Sequence, residues 1–148
     1  MEYNKTTDFI KRTKKIIEQY ESFKNKLWDN FFDVTLLLNC FIWLVIFPKE
    51  KEIRDISTIW DINKEDRWID PKKIETDEKK SIKNVVRHLR NSLSHCRFEV
   101  RGKGTVSSIL FQDCDARSKK LNFKLELSIE EIKTFVEKFS EYMIEQKN

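Results

Sequence analysis

Between Arg87 and His95 the chain reads Arg-His-Leu-Arg-Asn-Ser-Leu-Ser-His, and Arg90, Asn91 and His95 are the side chains in it suited to joint chemistry. An imidazole with an ordinary pKa of about 6.5 gives and takes protons at neutral pH. A guanidinium stays charged and offers a planar fork of donors matched to phosphate oxygens. An amide one helical turn before the imidazole can orient it, or hold a ribose or phosphate group. Together they suit attack by a ribose 2′-hydroxyl on the adjacent phosphate. That reaction needs a base for the 2′-hydroxyl, an acid for the leaving 5′-oxygen and positive donors for the developing charge, but no metal. Its products are a 2′,3′-cyclic phosphate and a 5′-hydroxyl. One histidine can hardly act as acid and base at once, so a symmetric homodimer with two copies of the three residues around one cleft is expected.

The element that carries them is an amphipathic helix. Ile82, Val85, Val86, Leu89 and Leu93 recur at helical spacing and form its buried stripe. At about 100° per residue, Asn91 and His95 fall on the opposite face, with His88 and Asn84 nearby and Arg90 on a flank. His88 reads as a solvated or interface residue rather than a second base. Arg87, Arg97 and Lys103 are candidate contacts to an RNA backbone, part of a loose basic cluster with Arg101 that reads equally well as a solvated edge.

Arg90-Asn91-x-x-x-His95 resembles the R-x(4–6)-H motif of the HEPN superfamily, in which a polar residue usually follows the arginine, here Asn91. The resemblance extends over the helical first half, the motif helix and a last helix. It implies a helical domain that dimerises and cuts RNA without metal, with Arg90, Asn91 and His95 as catalytic residues. It also implies a bacterial toxin or antiphage abortive-infection effector, with an antitoxin as a possible partner. The competing reading is a noncatalytic HEPN module that binds RNA, nucleotide or a protein partner.

Around the motif helix, a first helix is expected from Ile10 to Leu27, with Ile16, Ile17, Tyr20, Phe23 and Leu27 facing inward. A second, capped by Asp29 and stopped by Pro48, is apolar nearly all round and must be covered on several sides, by the rest of the domain or a second subunit. Lys49 to Lys80 reads as a long charged connection holding Trp60 and Trp68, which suit packing better than base stacking, and Asp77 starts the motif helix. Beyond His95, Phe98-Glu99-Val100 and Val106 to Phe111 are strand-like. Leu121, Phe123, Leu125 and Leu127 alternate strictly with polar residues, and Cys114 falls in an apparent turn between Asp113 and Asp115. Ser128 with Glu131 forms a capping-box pattern that opens a last helix reaching about Glu145. The expected fold is therefore mainly α: a four-helix core with a small antiparallel β insertion between the motif helix and the C-terminal helix, in one domain over residues 1–148.

Composition narrows the alternatives. Gly 2 and Pro 2 in 148 residues suit long helices with few tight turns, and a net charge of +4 permits an anionic partner without demanding one. The lysines and arginines are interleaved with carboxylates, and no concentrated basic helix or helix-turn-helix pattern supports DNA binding. His88 and His95 are the two histidines, and Cys40, Cys96 and Cys114 match no zinc spacing, so neither metal nor cofactor is expected and the thiols read as reduced and cytosolic. The apolar run from Val34 to Phe47 is short of the roughly 20 residues that span a bilayer, and the polar N-terminus does not read as a signal peptide. A cytoplasmic protein without a membrane partner is the expectation.

Overall fold

The computed structural model describes residues 5–24, 33–48, 52–53 and 68–145. Its elements run α1 (Lys5–Lys24), α2 (Asp33–Ile46), β1 (Glu75–Thr76), α3 (Ile82–Ser94), β2 (Phe98–Arg101), β3 (Ser108–Cys114), β4 (Leu121–Ser128) and α4 (Ile129–Glu145). A 3-10 turn at Pro71–Lys73 precedes β1, with Asp70 capping it through Lys72 N–H. The strands form one antiparallel sheet in the order β1-β4-β3-β2.

This is an α+β fold and not the mainly helical core with a minor insertion that the pattern suggested. Two findings overturn that expectation. The sheet takes a strand from before the motif helix, since β1 pairs with β4 through Glu75↔Lys124 and Thr76↔Phe123. Two residues are too few to show alternation, so nothing in their side chains announced a strand. The sheet is also a full layer of the core. Ile109, Phe111, Phe123, Leu125 and Leu127 are buried together with Phe41 and Leu44 of α2, Val86 and Leu89 of α3, and Phe135 and Phe139 of α4. Each such side chain contributes about 1.5–3 kcal/mol by leaving water.

Local chemistry sets the helix ends. Ser81 caps α3 by accepting from Asn84 N–H at 3.2 Å, four residues later than the expected start at Asp77. The capping box at α4 forms in both directions: Glu131 N–H donates to Ser128 Oγ at 3.1 Å, and Ser128 N–H to Glu131 Oε2 at 2.8 Å. In α1 the inward face includes Ile10 and Thr13, and Ile17 packs against the core, but Ile16 is 48% exposed, contrary to expectation. Phe41, Leu44 and Val45 of α2 are buried, while Trp43 stands 53% exposed beside Phe9. Trp68 packs edge-on against Phe135, Phe139 and Tyr142. The expected cap at Asp29, the end of the first helix at Leu27, and Trp60 lie outside the described residues. No helix among the described residues is long and apolar enough to cross a membrane.

Candidate active site

Helix α3 lays its apolar stripe on the core and carries its polar face across one end of the sheet. That face meets the last residues of β3 and the start of β4: His88 touches Asp113 and Phe123, Asn91 touches Asp113, and Ser92 Oγ accepts from Gln112 N–H. The structure therefore joins Asn91 to a group of residues that the motif alone does not contain.

Asp113 is the centre of that group. It is only 2% exposed, and its Oδ2 accepts from His88 Nδ1 at 2.8 Å and from Asn91 Nδ2 at 2.9 Å. Its Oδ1 accepts from Cys114 N–H at 2.9 Å and Arg97 Nη1 at 3.2 Å. Burial by itself pushes such a carboxyl up. The hydrogen bonds from Asn91, His88 and Cys114 N–H, with the charge of His88, outweigh it and hold Asp113 below the usual carboxylate range.

His88 is not solvated, as its place beside the polar face suggested. It is 2% exposed and stacked on Phe123 with ring centroids 4.6 Å apart. Its Nε2 lies 3.2 Å from Glu78 Oε2 and 3.5 Å from Arg87 Nη2. An imidazolium donates to both Asp113 and Glu78, whereas a neutral ring protonated at Nδ1 keeps Asp113 and turns Nε2 into an acceptor for Arg87. Arg87 itself pairs with Glu78 at the edge of the group.

His95 ends α3, and the way the helix stops is what leaves its ring outside. Arg97 N–H donates to Ser92 O at 2.8 Å and Cys96 N–H to Leu93 O at 3.2 Å, while Cys96 takes a left-handed φ of 52°. This is the Schellman arrangement, which satisfies the last carbonyls of the helix and turns the chain sharply into β2. His95 is exposed, and its ring has no hydrogen-bond partner among the described residues. Four positions apart, Asn91 and His95 lie about 40° from each other around the helix.

Arg90 lies on the flank that faces α2. Its Nε donates to Val45 O at 3.2 Å and its Nη2 to Pro48 O. The last turn of α2 contains no basic residue of its own, so Arg90 supplies from another helix the cation that the carbonyl end favours. The structure thus sets Asn91 and His95 on one face of α3 and ties Arg90 to the neighbouring helix end. Of the candidate backbone contacts, Arg87 is held by Glu78 and Arg97 by Asp113, while Lys103 is exposed in the turn between β2 and β3.

The motif did not point to Glu78, His88 or Asp113. One signal for Asp113 was readable: it continues the inward phase of Ile109 and Phe111 in β3. An acid at an inward strand position must find donors, because an unpaired buried carboxylate is too costly. Among the described residues no group of three or more His, Cys, Asp or Glu side chains is placed to hold a metal ion.

No curated protein and no solved structure matches this chain. One family model does, that of HEPN pEK499 p136, and the match covers residues 1–148. The exposed histidine, the adjoining amide and the arginine one flank away are thus borne on a chain that belongs, over its whole length, to the HEPN superfamily.

Proposed function

We propose that this protein is a metal-independent endoribonuclease in which His95 is the acid–base residue, Asn91 holds the substrate and Arg90 supplies positive charge. HEPN membership is consistent with a nuclease or RNA-related module. The observation that carries the finer reading is the contrast between Asn91 and His95. Asn91 is anchored to a buried carboxylate, and on the same helix face His95 presents a titratable ring to solvent. A fixed polar group beside an accessible proton carrier is what phosphodiester chemistry requires.

In this reading two copies of the chain meet at one cleft. His95 of one copy takes the proton from the ribose 2′-hydroxyl. The 2′-oxygen bonds to phosphorus, the bond from phosphorus to the 5′-oxygen breaks, and the protonated His95 of the other copy gives its proton to that oxygen. The side-chain oxygen of Asn91 accepts from a ribose hydroxyl, while its Nδ2 stays anchored on Asp113. Arg90 exchanges a carbonyl of α2 for a phosphate oxygen as substrate arrives. Cleavage of a cell's own RNA is toxic to it, and the biological role proposed is that of a toxin or antiphage effector.

A noncatalytic module that binds RNA, nucleotide or a protein partner is the second reading, favoured by the engagement of Arg90 with Val45 and Pro48. Cleavage of a labelled single-stranded RNA mixture in EDTA, with product ends mapped, separates the two. The ribonuclease yields cyclic-phosphate ends, and His95→Ala lowers the rate by about 100- to 10,000-fold. Arg90→Ala lowers it too. Absence of cleavage by the wild type across varied RNAs, with binding retained, selects the module.

A further inference from the structure

Several cations on this surface are neutralised at close range. Lys14 pairs with Glu141, Lys73 with Glu131, Arg101 with Glu99 and Glu126, and Lys133 with Glu21. The turn between β3 and β4 instead gathers three that are not. It reads Asp115-Ala116-Arg117-Ser118-Lys119-Lys120, every residue of it is exposed, and its three cations have no salt-bridge partner among the described residues. Its one acid does not balance them. Asp115 Oδ1 accepts from the backbone N–H groups of Ser118 at 2.7 Å and Arg117 at 2.9 Å, which with the charge of Lys119 hold the carboxyl below its usual range, so a single anion faces the three cations. The turn is also closed on itself, with Asp115 N–H donating to Lys120 O at 2.8 Å and Lys119 N–H to Asp115 O at 3.0 Å. Arg117, Lys119 and Lys120 are therefore presented from a fixed backbone, with mutual repulsion already built into the fold.

The position of the turn gives this charge a use. Asp113, which holds Asn91 and Arg97, is two residues before Asp115, roughly 7 Å along the strand. The polar face of α3 crosses the sheet at this end, so the cationic turn projects from the same end as Asn91. Exposed Leu121 adjoins it. We propose that Arg117, Lys119 and Lys120 form a docking surface for the phosphate backbone of single-stranded RNA, flanking the site that contains Asn91 and His95. This rests on RNA being the substrate. It moves the main electrostatic contact away from Arg87, which Glu78 neutralises, to a turn outside the motif.

The test is the salt dependence of binding of a fluorescent single-stranded RNA to His95→Ala protein, which prevents turnover. The comparison is with the same protein carrying Arg117→Gln, Lys119→Asn and Lys120→Gln. Asparagine is chosen at 119 because the backbone there has a φ of 58°, which it tolerates. Each phosphate contact contributes about 0.7 to the slope of log affinity against log salt for single strands. Loss of the turn should thus flatten the slope by about 2 and weaken binding roughly 10- to 100-fold at 0.1 M salt. A control with Lys11→Gln, Lys15→Gln and Lys138→Gln, which removes the same charge from α1 and α4, should keep the slope. Arg117→Lys with Lys120→Arg should keep it as well. An unchanged slope in the triple turn variant, with an unchanged melting temperature, overturns the proposal, as does an equal loss in the control. Failure of the ribonuclease reading looks different: the wild type binds RNA with the steep slope, the turn variant loses it, and no cleavage occurs in either.

Discussion

At the scale of single residues, Asp113 organises the site without belonging to the motif. Four donors converge on a carboxylate that is nearly sealed from solvent. Such a group is retained as an anion, because its neutral form satisfies fewer of the donors around it. Removing its charge by Asp113→Asn should cost about 3 kcal/mol at pH 7, the scale for breaking a buried ion pair. The pH dependence has a definite sign. A carboxyl held below its ordinary value of about 3.9 contributes stability that is present above that value and lost as pH falls through the folded one. Urea unfolding of wild type and Asp113→Asn should therefore differ most at neutral pH and converge below about pH 4. A gap that stays constant down to acid pH would remove the charge from the account.

Helix ends decide where the proposed chemistry sits at the scale of elements. The Schellman turn stops α3 at His95 and so leaves the ring in solvent; one more helical turn would have continued the helix beyond it. Cys96 occupies the left-handed position of that turn, where a side chain is disfavoured and glycine is not. Cys96→Gly should raise stability by about 0.5–1 kcal/mol, measured by thermal or denaturant unfolding, and leave the proposed RNA cleavage unaffected. A loss of stability would show that the thiol has a packing role that outweighs backbone strain. Much at this scale was legible in sequence. Ser128 with Glu131 announced α4, the stripe from Ile82 to Leu93 announced α3, and the alternation from Leu121 to Leu127 announced β4, since each is a local pattern in side-chain chemistry. Strand β1 was not legible, because its pairing is made by the backbones of Glu75 and Thr76 with a strand nearly fifty residues away.

The proposed mechanism for the whole molecule needs two histidines at one cleft, and each copy of the chain has one exposed. If the pair is shared between two copies, His95→Ala protein is a poison as well as a dead enzyme. Mixing equal amounts of wild type and His95→Ala, with time for exchange, leaves about a quarter of dimers with both histidines. Activity should then follow the square of the wild-type fraction, as read by RNA cleavage across a mixing series. Simple proportionality to that fraction would assign catalysis to a single copy.

The sequence by itself determined the motif, the helix that carries it, the phase of that helix and most of the strand pattern. These follow from side-chain periodicity and from caps that act within a few residues. Only the tertiary structure decided what each polar side chain meets. It placed Arg90 on the carbonyl end of α2, buried His88 between Glu78 and Asp113, gave Asn91 its anchor and made the sheet a layer of the core. Those pairings join residues ten to more than forty positions apart. A polar group is indifferent in sequence to which distant donor or acceptor it will find, and burial settles the choice once the chain has closed around it.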